Sequence, residues 1–253
     1  KMDPRNNQFE QEQEFERPSG DAAAFSFGAN RQEVDERGLA TFISQVYLWM
    51  FSGLLLTAGV AFTILQSPTL FEALRPFFWP LVIGEFVVVL ALVARVHAMS
   101  TMAATSLFFL YAAVNGITLS FLLAMYTATS AATVFMVAAG TFGIMAFYGL
   151  TTKKDLTKWS SLLFMGVVGI LLAMFMNIIF IQSGPMSLII SCVAVFIFVG
   201  LIAYDNQMIK ATYVSGMEST GEGAKYAILA AFHLYLDFIV LYTHLLNLMG
   251  DRD

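Results

Sequence analysis

Residues 226–249 read YAILAAFHLYLDFIVLYTHLLNLM. The run has the length of roughly 20 residues that a helix needs to cross a bilayer core of about 30 Å. It holds no lysine or arginine, and its one acidic residue is Asp237. A second run, residues 191–209, SCVAVFIFVGLIAYDNQMI, likewise carries one, Asp205. Within a spanning helix a carboxylate costs roughly 2.5–3.5 kcal/mol on insertion scales, so two isolated aspartates in successive runs point to function. Their simplest relief is each other. Two carboxyl groups that approach closely cannot both ionise cheaply, and a proton shared between them makes a pH-sensitive element inside a membrane.

The rest of the chain agrees with this reading. Its 253 residues are 58% hydrophobic and 12% charged, with a mean hydropathy of +0.73, which excludes a soluble domain. Apolar stretches of spanning length recur at 42–66, 78–94, 102–126, 130–151, 160–182, 186–207 and 226–249. The short alternating strands of a membrane barrel are absent, so the backbone must satisfy itself as helices. The expected fold is an all-α integral membrane bundle of seven transmembrane helices.

Two regions follow: a polar tail over 1–41 and a membrane domain over 42–250. The tail carries five basic and nine acidic residues and has little to bury, so it reads as a disordered acidic segment on the cytoplasmic side. The first apolar run is too long for the core of a signal peptide and is expected to be retained. Orientation rests on the basic residues. With seven spans and the tail inside, the cytoplasmic face receives the five in the tail together with Arg95, Lys153, Lys154, Lys158, Lys210 and Lys225, leaving Arg75 and Arg252 outside. That asymmetry predicts the N-terminus inside and the C-terminus outside. Cys192 is the only cysteine and lies within a span, so no disulfide framework or cysteine metal site is expected. Phosphate-binding glycine loops, nucleic-acid patches and nucleophile elbows are not found.

Polar residues inside the spans carry the remaining information. Glu85 follows Pro80 by five residues, roughly 7.5 Å along a helix, in the outer third of the second span. It is a candidate lining residue for an ion pathway, or a glutamate that snorkels to the interface. Arg95 and Asp205 fall at similar depth near the inner face, so Arg95 could pair with Asp205 as a latch, or serve only as a topology signal. His233 precedes Asp237 by four residues and His244 follows it by seven, so all three share a helical face. These histidines are read as neutral hydrogen-bonding groups, with proton handling as the functional alternative. Together with His97 they are too few and too scattered for a metal site.

Four stretches in order resemble the Bax inhibitor-1 family of seven-helix membrane proteins, with bacterial inner-membrane members. They are NGITLS at 115–120, TTKKDLT at 151–157, VGLIAYDNQMIK at 199–210 and LYLDFIVL at 234–241. The resemblance covers about residues 38–250. It implies a bundle whose last helix is central and wrapped by the other six, and a pH-dependent calcium leak. In that scheme Asp205 and Asp237 are the sensor and ion gate, and an arginine of the second helix, here Arg95, is the latch. His233, His244 and the MESTGEGAK segment at 217–225 depart from the family pattern.

Calcium is therefore expected as a transported ion, with no cofactor. Two aspartates with Glu85 and carbonyls give only a partial shell for an ion that takes about six to eight oxygens, which suits weak binding and permeation. An intramembrane aspartyl protease would also place Tyr-Asp on one helix and an aspartate on the next. Such proteases have Gly-x-Gly-Asp at the second position, whereas this chain has Leu234-Tyr235-Leu236-Asp237, so no enzyme is expected. A third class is a non-conducting regulator or scaffold, such as a modulator of a membrane-bound quality-control protease. The expected partners are the bilayer, calcium ions, protons and that protease, with no nucleic acid.

Overall fold

A computed structural model describes residues 36–95, 98–214 and 223–252. Most of the acidic tail, His97, most of the MESTGEGAK segment and Asp253 lie outside these residues. Among the described residues, seven helices are long and apolar enough to cross a membrane: α1 (Glu36–Leu65), α2 (Pro68–Arg95), α3 (Thr101–Leu123), α4 (Ala128–Thr151), α5 (Thr157–Ile181), α6 (Gly184–Val214) and α7 (Gly223–Met249). The described residues contain no β-strand, only one isolated bridge between Tyr126 and Arg252. The chain is thus an integral membrane helix bundle. Apolar runs underestimate several of the helices, α2 among them, which begins at Pro68 rather than at 78. The first begins at Glu36 rather than at 42, and the sixth runs on to Val214 rather than stopping at 207, because a helix continues past its apolar stretch while its backbone bonds remain favourable.

Local signals start and stop the helices. Ser67, Ser100 and Thr127 cap α2, α3 and α4, their hydroxyls accepting from the N–H groups of Leu70, Ala103 and Ser130, donors that would otherwise lack an intrahelical partner. α2 opens with a short turn, Pro68–Leu74, and a 3-10 segment, Arg75–Phe77, before Phe78–Arg95. α5 ends in a π-helical turn, Asn177–Ile181, closed by left-handed Gln182 at φ 48°. The Asn177 side chain then both donates to the Ser183 carbonyl and accepts from its N–H. Beyond α7, the Asp251 carbonyl accepts from Thr127 N–H at 3.0 Å, Asp251 N–H donates to Ser130 Oγ at 2.8 Å, and Arg252 lies over the Tyr126 ring. The end of α7 is thereby strapped to the start of α4.

Burial separates the helices sharply. In α7, 67% of the spanning window is buried, against 6% in both α2 and α5. α7 packs on α6, α4 and α3; α6 also holds α4 and α5, and α2 packs on α3. Large apolar side chains such as Leu90, Phe164 and Phe196 stand exposed. In water such a surface would drive aggregation, whereas acyl chains solvate it.

Among the described residues, close approach to the backbone of another helix occurs at Gly149 and Gly116. A Cβ at Gly149 would meet the Ala203 carbonyl and Asn206 Cβ, and one at Gly116 would meet the Thr57 carbonyl and Val60. Glycine is the residue that admits such contacts. The sequence also suggests Gly140, Gly143, Gly166 and Gly169 as packing glycines. Gly140, Gly143 and Gly169 face open space, and Gly166 meets only the flexible side chain of Ile197. Small size permits close approach but does not say which helix face will use it.

Candidate functional site

α6 and α7 run side by side, each carrying one intramembrane aspartate. Asp205 lies 21 residues after Gly184 and Asp237 lies 14 after Gly223, roughly 31 Å and 21 Å along their helices. The packing of α6 on α7 brings the two carboxyl groups close enough for each to act on the other, and both line one cavity. Asp237 is 5% exposed, while Asp205 is half-buried. No hydroxyl, amide or backbone N–H reaches the buried Asp237 Oδ2. Two ionised carboxylates are both acceptors, so a hydrogen bond between these two groups requires one proton between them.

His233 lies close enough to Asp205 to act on its charge, and both line a cavity of about 290 Å³ at the α6–α7 loop end, with Met208, Thr212 and Tyr226. Asp205 and His233 also line a second cavity of about 430 Å³, together with Asp237, Glu85, Asn115 and His244. The one-face arrangement of His233, Asp237 and His244 is therefore realised. Glu85, Asn115, Met174, Ile239 and Thr243 are shared in turn with a third cavity of about 850 Å³, whose other walls include Phe71, Arg75 and Trp79. Asp205 thus stands where the first two of these cavities adjoin, Asp237 lines the second, and Glu85 stands where the second and third adjoin.

Glu85 does not snorkel. Thr118 Oγ1 donates to its Oε1 at 2.6 Å and Asn115 Nδ2 to its Oε2 at 3.4 Å. Asn115 Oδ1 accepts from the Tyr235 hydroxyl at 3.0 Å, and that hydroxyl meets Thr57 Oγ1 at 2.7 Å. Thr57 is also within bonding distance of the Ala112 carbonyl at 2.8 Å. One polar network therefore joins α2, α3, α7 and α1 around Glu85, and Tyr235 places it two residues from Asp237. The direct partners of Glu85 lie in the second half of α3, and Tyr235 lies near the middle of α7.

Arg95 and Asp205 are not paired in this structure. Arg95 is exposed at the end of α2 and forms no ion pair with Asp205. α2 packs chiefly on α3, and its residues that share a cavity with Asp205 are Glu85, Phe86 and Val89 rather than Arg95. The nearer basic side chain is His233.

His244 is buried, its Nδ1 3.0 Å from Ser191 Oγ. Asn247 Nδ2 donates to Ser191 Oγ and Ser187 Oγ, and Arg252 donates to Asn247 Oδ1. His244 is thus tied into a hydroxyl–amide cluster at the far end of α7. Among the described residues no three His, Cys, Asp or Glu side chains are grouped so as to hold a metal ion.

Sequence reasoning missed Tyr235, Asn115, Thr118, Thr57 and Asn206. Asn206 is fully buried; its Nδ2 donates to the Ile202 carbonyl at 2.7 Å and its Oδ1 accepts from the Tyr47 hydroxyl. The signal was present, since each is a hydrogen-bonding side chain within an apolar run, and such groups need partners in a membrane. Gln207 belongs with them. Its side chain accepts from Leu156 N–H at 2.8 Å and donates to the Lys154 carbonyl at 2.7 Å, pinning the α4–α5 loop two residues from Asp205.

The family profile described as "Inhibitor of apoptosis-promoting Bax1" matches residues 39–253. The chain is 42% identical over 219 residues to the inner membrane protein YbhL of Escherichia coli K12, covering 85% of this chain and 93% of that protein. It is 40% identical over 214 residues to a protein of Deinococcus radiodurans, covering 84% and 91%. A Rickettsia prowazekii protein is 33% identical over 226 residues, covering 88% and 94%.

Proposed function

The chain belongs to the Bax inhibitor-1 family, and from that premise we propose that it is a pH-sensitive calcium leak of a bacterial inner membrane, gated by the Asp205–Asp237 pair. The observation that carries this reading is the position of Asp205 between two cavities, with Asp237 lining the second and one oxygen of Asp237 buried and lacking a donor. Adding a proton removes repulsion and closes the contact; losing it leaves two acceptor groups that repel, favour separation and attract a cation. Glu85 extends the acidic lining towards the third cavity. Few oxygens converge, so calcium is held weakly and can leave. His233, beside Asp205, is suited to deliver or receive the proton. Arg95 serves orientation under this reading, and the basic residues place the N-terminus in the cytoplasm and the C-terminus outside.

Calcium flux into liposomes, followed from pH 5 to 8, tests the proposal. Wild type responds to pH, and Asp205→Asn, which removes one titrating partner and its repulsion, flattens the response. Identical profiles for the two proteins rule out the pair as sensor. Orientation is read separately: a reporter fused after Asp253 is exported, and a cytoplasmic signal there overturns the proposed topology.

A further inference from the structure

The 430 Å³ cavity combines a polar floor with a mouth that a calcium ion cannot use. Asp205, Asp237 and Glu85 lie at its floor. Its rim is hydrocarbon: Phe86 and Val89 from α2, and Val167, Leu171 and Met174 from α5. These helices bury least of the seven, and Phe86 and Leu171 are 51% and 43% exposed. The rim therefore continues onto the surface that faces acyl chains. A hydrated cation gains nothing from such side chains, whereas an amphiphile does.

We propose that this cavity binds a compact lipophilic amine, which enters from the bilayer between α2 and α5 and is held as its ammonium ion by Asp237. Three observations select this ligand. The volume falls within the range of about 300–1,000 Å³ typical of pockets for drug-sized molecules. The floor bears carboxyl groups and no lysine or arginine, so it repels an anionic amphiphile. Asp237 is 5% exposed, lines the cavity, and has a buried oxygen without a hydrogen-bond donor, the acceptor that an ammonium group would satisfy. Glu85 is already bonded to Thr118 and Asn115, so it adds negative charge rather than a free acceptor. A neutral alcohol matches the rim but not the charge. The ammonium of a phospholipid headgroup is held in the interface, about 15 Å from the midplane, too far from the middle of α7. The amine crosses the hydrocarbon uncharged and acquires its proton at the carboxyl pair, leaving an ammonium–carboxylate contact.

The inference rests on the reading of the aspartate pair given above, but its test does not use flux. Purified full-length protein in phosphatidylcholine nanodiscs is titrated with radiolabelled 1-adamantylamine, with empty nanodiscs as reference and 1-adamantanol as the neutral isostere. The amine is expected to bind saturably at one site, about tenfold or more tighter than the alcohol. Asp237→Asn weakens the amine by a similar factor and leaves the alcohol unchanged. Leu171→Trp, a change at the exposed rim that leaves the buried core intact, weakens both ligands by filling the mouth. Equal affinity for amine and alcohol, an Asp237→Asn protein that binds the amine as wild type does, or no saturable binding overturns the proposal. If Asp237→Asn fails to fold, Leu171→Trp and the amine–alcohol comparison on wild type decide. Calcium flux measured in parallel separates the two readings: binding without flux sinks only the leak, and flux without binding sinks only the amine site.

Discussion

Glu85 and Asp237 are both carboxyl groups held inside apolar helices, yet the bundle treats them in opposite ways. Glu85 receives a hydroxyl and an amide, one donor for each oxygen, and a further chain of partners through Asn115, Tyr235 and Thr57 holds those donors in place. Asp237 has no donor at Oδ2 and faces another carboxyl group. A low-dielectric interior strengthens satisfied polar groups and penalises unsatisfied ones. The difference teaches which carboxyl group supports the fold and which stores a penalty. Penalties of this kind persist where function needs them.

The largest expected effect is a difference in sign. Glu85→Ala leaves the Asn115 amide without its acceptor and makes Thr118 depend on its alternative bond to the Asn115 carbonyl. It should destabilise by roughly 1–3 kcal/mol, the cost of an unsatisfied buried polar group. Asp237→Asn replaces an acid whose Oδ2 has no donor with a neutral amide that can donate to Asp205, and should be neutral or stabilising by about 1 kcal/mol. Thermal unfolding in detergent reads both changes, with the midpoint falling for the first and holding or rising for the second. Two midpoints that fall together would erase the contrast between a structural and a functional carboxyl group.

A smaller effect belongs to the link between the two sites. Tyr235→Phe removes the hydroxyl that joins Thr57 to Asn115 while keeping the ring, which packs edge-on against Phe108 and Tyr111. Thr57 keeps backbone carbonyls at Gly53 and Ala112 as acceptors, so the loss falls on Asn115 Oδ1. About 1 kcal/mol of destabilisation is expected. If Glu85→Ala in the Tyr235→Phe background costs the simple sum of the two, the network does not act as a unit.

The sequence made the seven helices legible and the two aspartates conspicuous for one physical reason: a bilayer demands long apolar runs and makes any charge within them stand out. The same simplicity hides helix rotation. Nothing in α2 read alone shows that Glu85 points to Thr118 and Asn115 while Arg95 is exposed at its end, because every face of that helix is apolar. Likewise Gly149 and Gly143 look alike in sequence, yet only Gly149 meets a neighbouring backbone, at Ala203. The four family-like stretches are better understood in space than in order. Gln207 of the third fastens the loop of the second, and Tyr235 of the fourth binds Asn115 of the first. Their common purpose is to hold the surroundings of the carboxyl groups.

Asp155 supplies a third case outside the spans, and with it the smallest expected effect. In the loop between α4 and α5 its Oδ1 accepts from the Thr157 hydroxyl at 2.5 Å and from the Thr157 N–H at 3.0 Å. The side-chain bond, then the backbone bond, with a minor contribution from Lys158, hold this carboxyl group below its ordinary value of 3.8 against slight desolvation. A lowered folded value means that the ionised group stabilises the loop above the unfolded value and that this support is lost as pH falls through the folded value. The loss therefore lies below about pH 4, outside the range of pH 5 to 8 used to test the aspartate pair. Thr157→Val should return Asp155 towards its ordinary titration while leaving the pH profile of calcium flux unchanged. Carboxyl-carbon NMR of Asp155 measures the first and liposome flux the second. A flux profile that moved with Thr157→Val would show that the pH response is not confined to the intramembrane pair, and that donors around a solvent-exposed carboxylate take part in it through the loop that Gln207 pins.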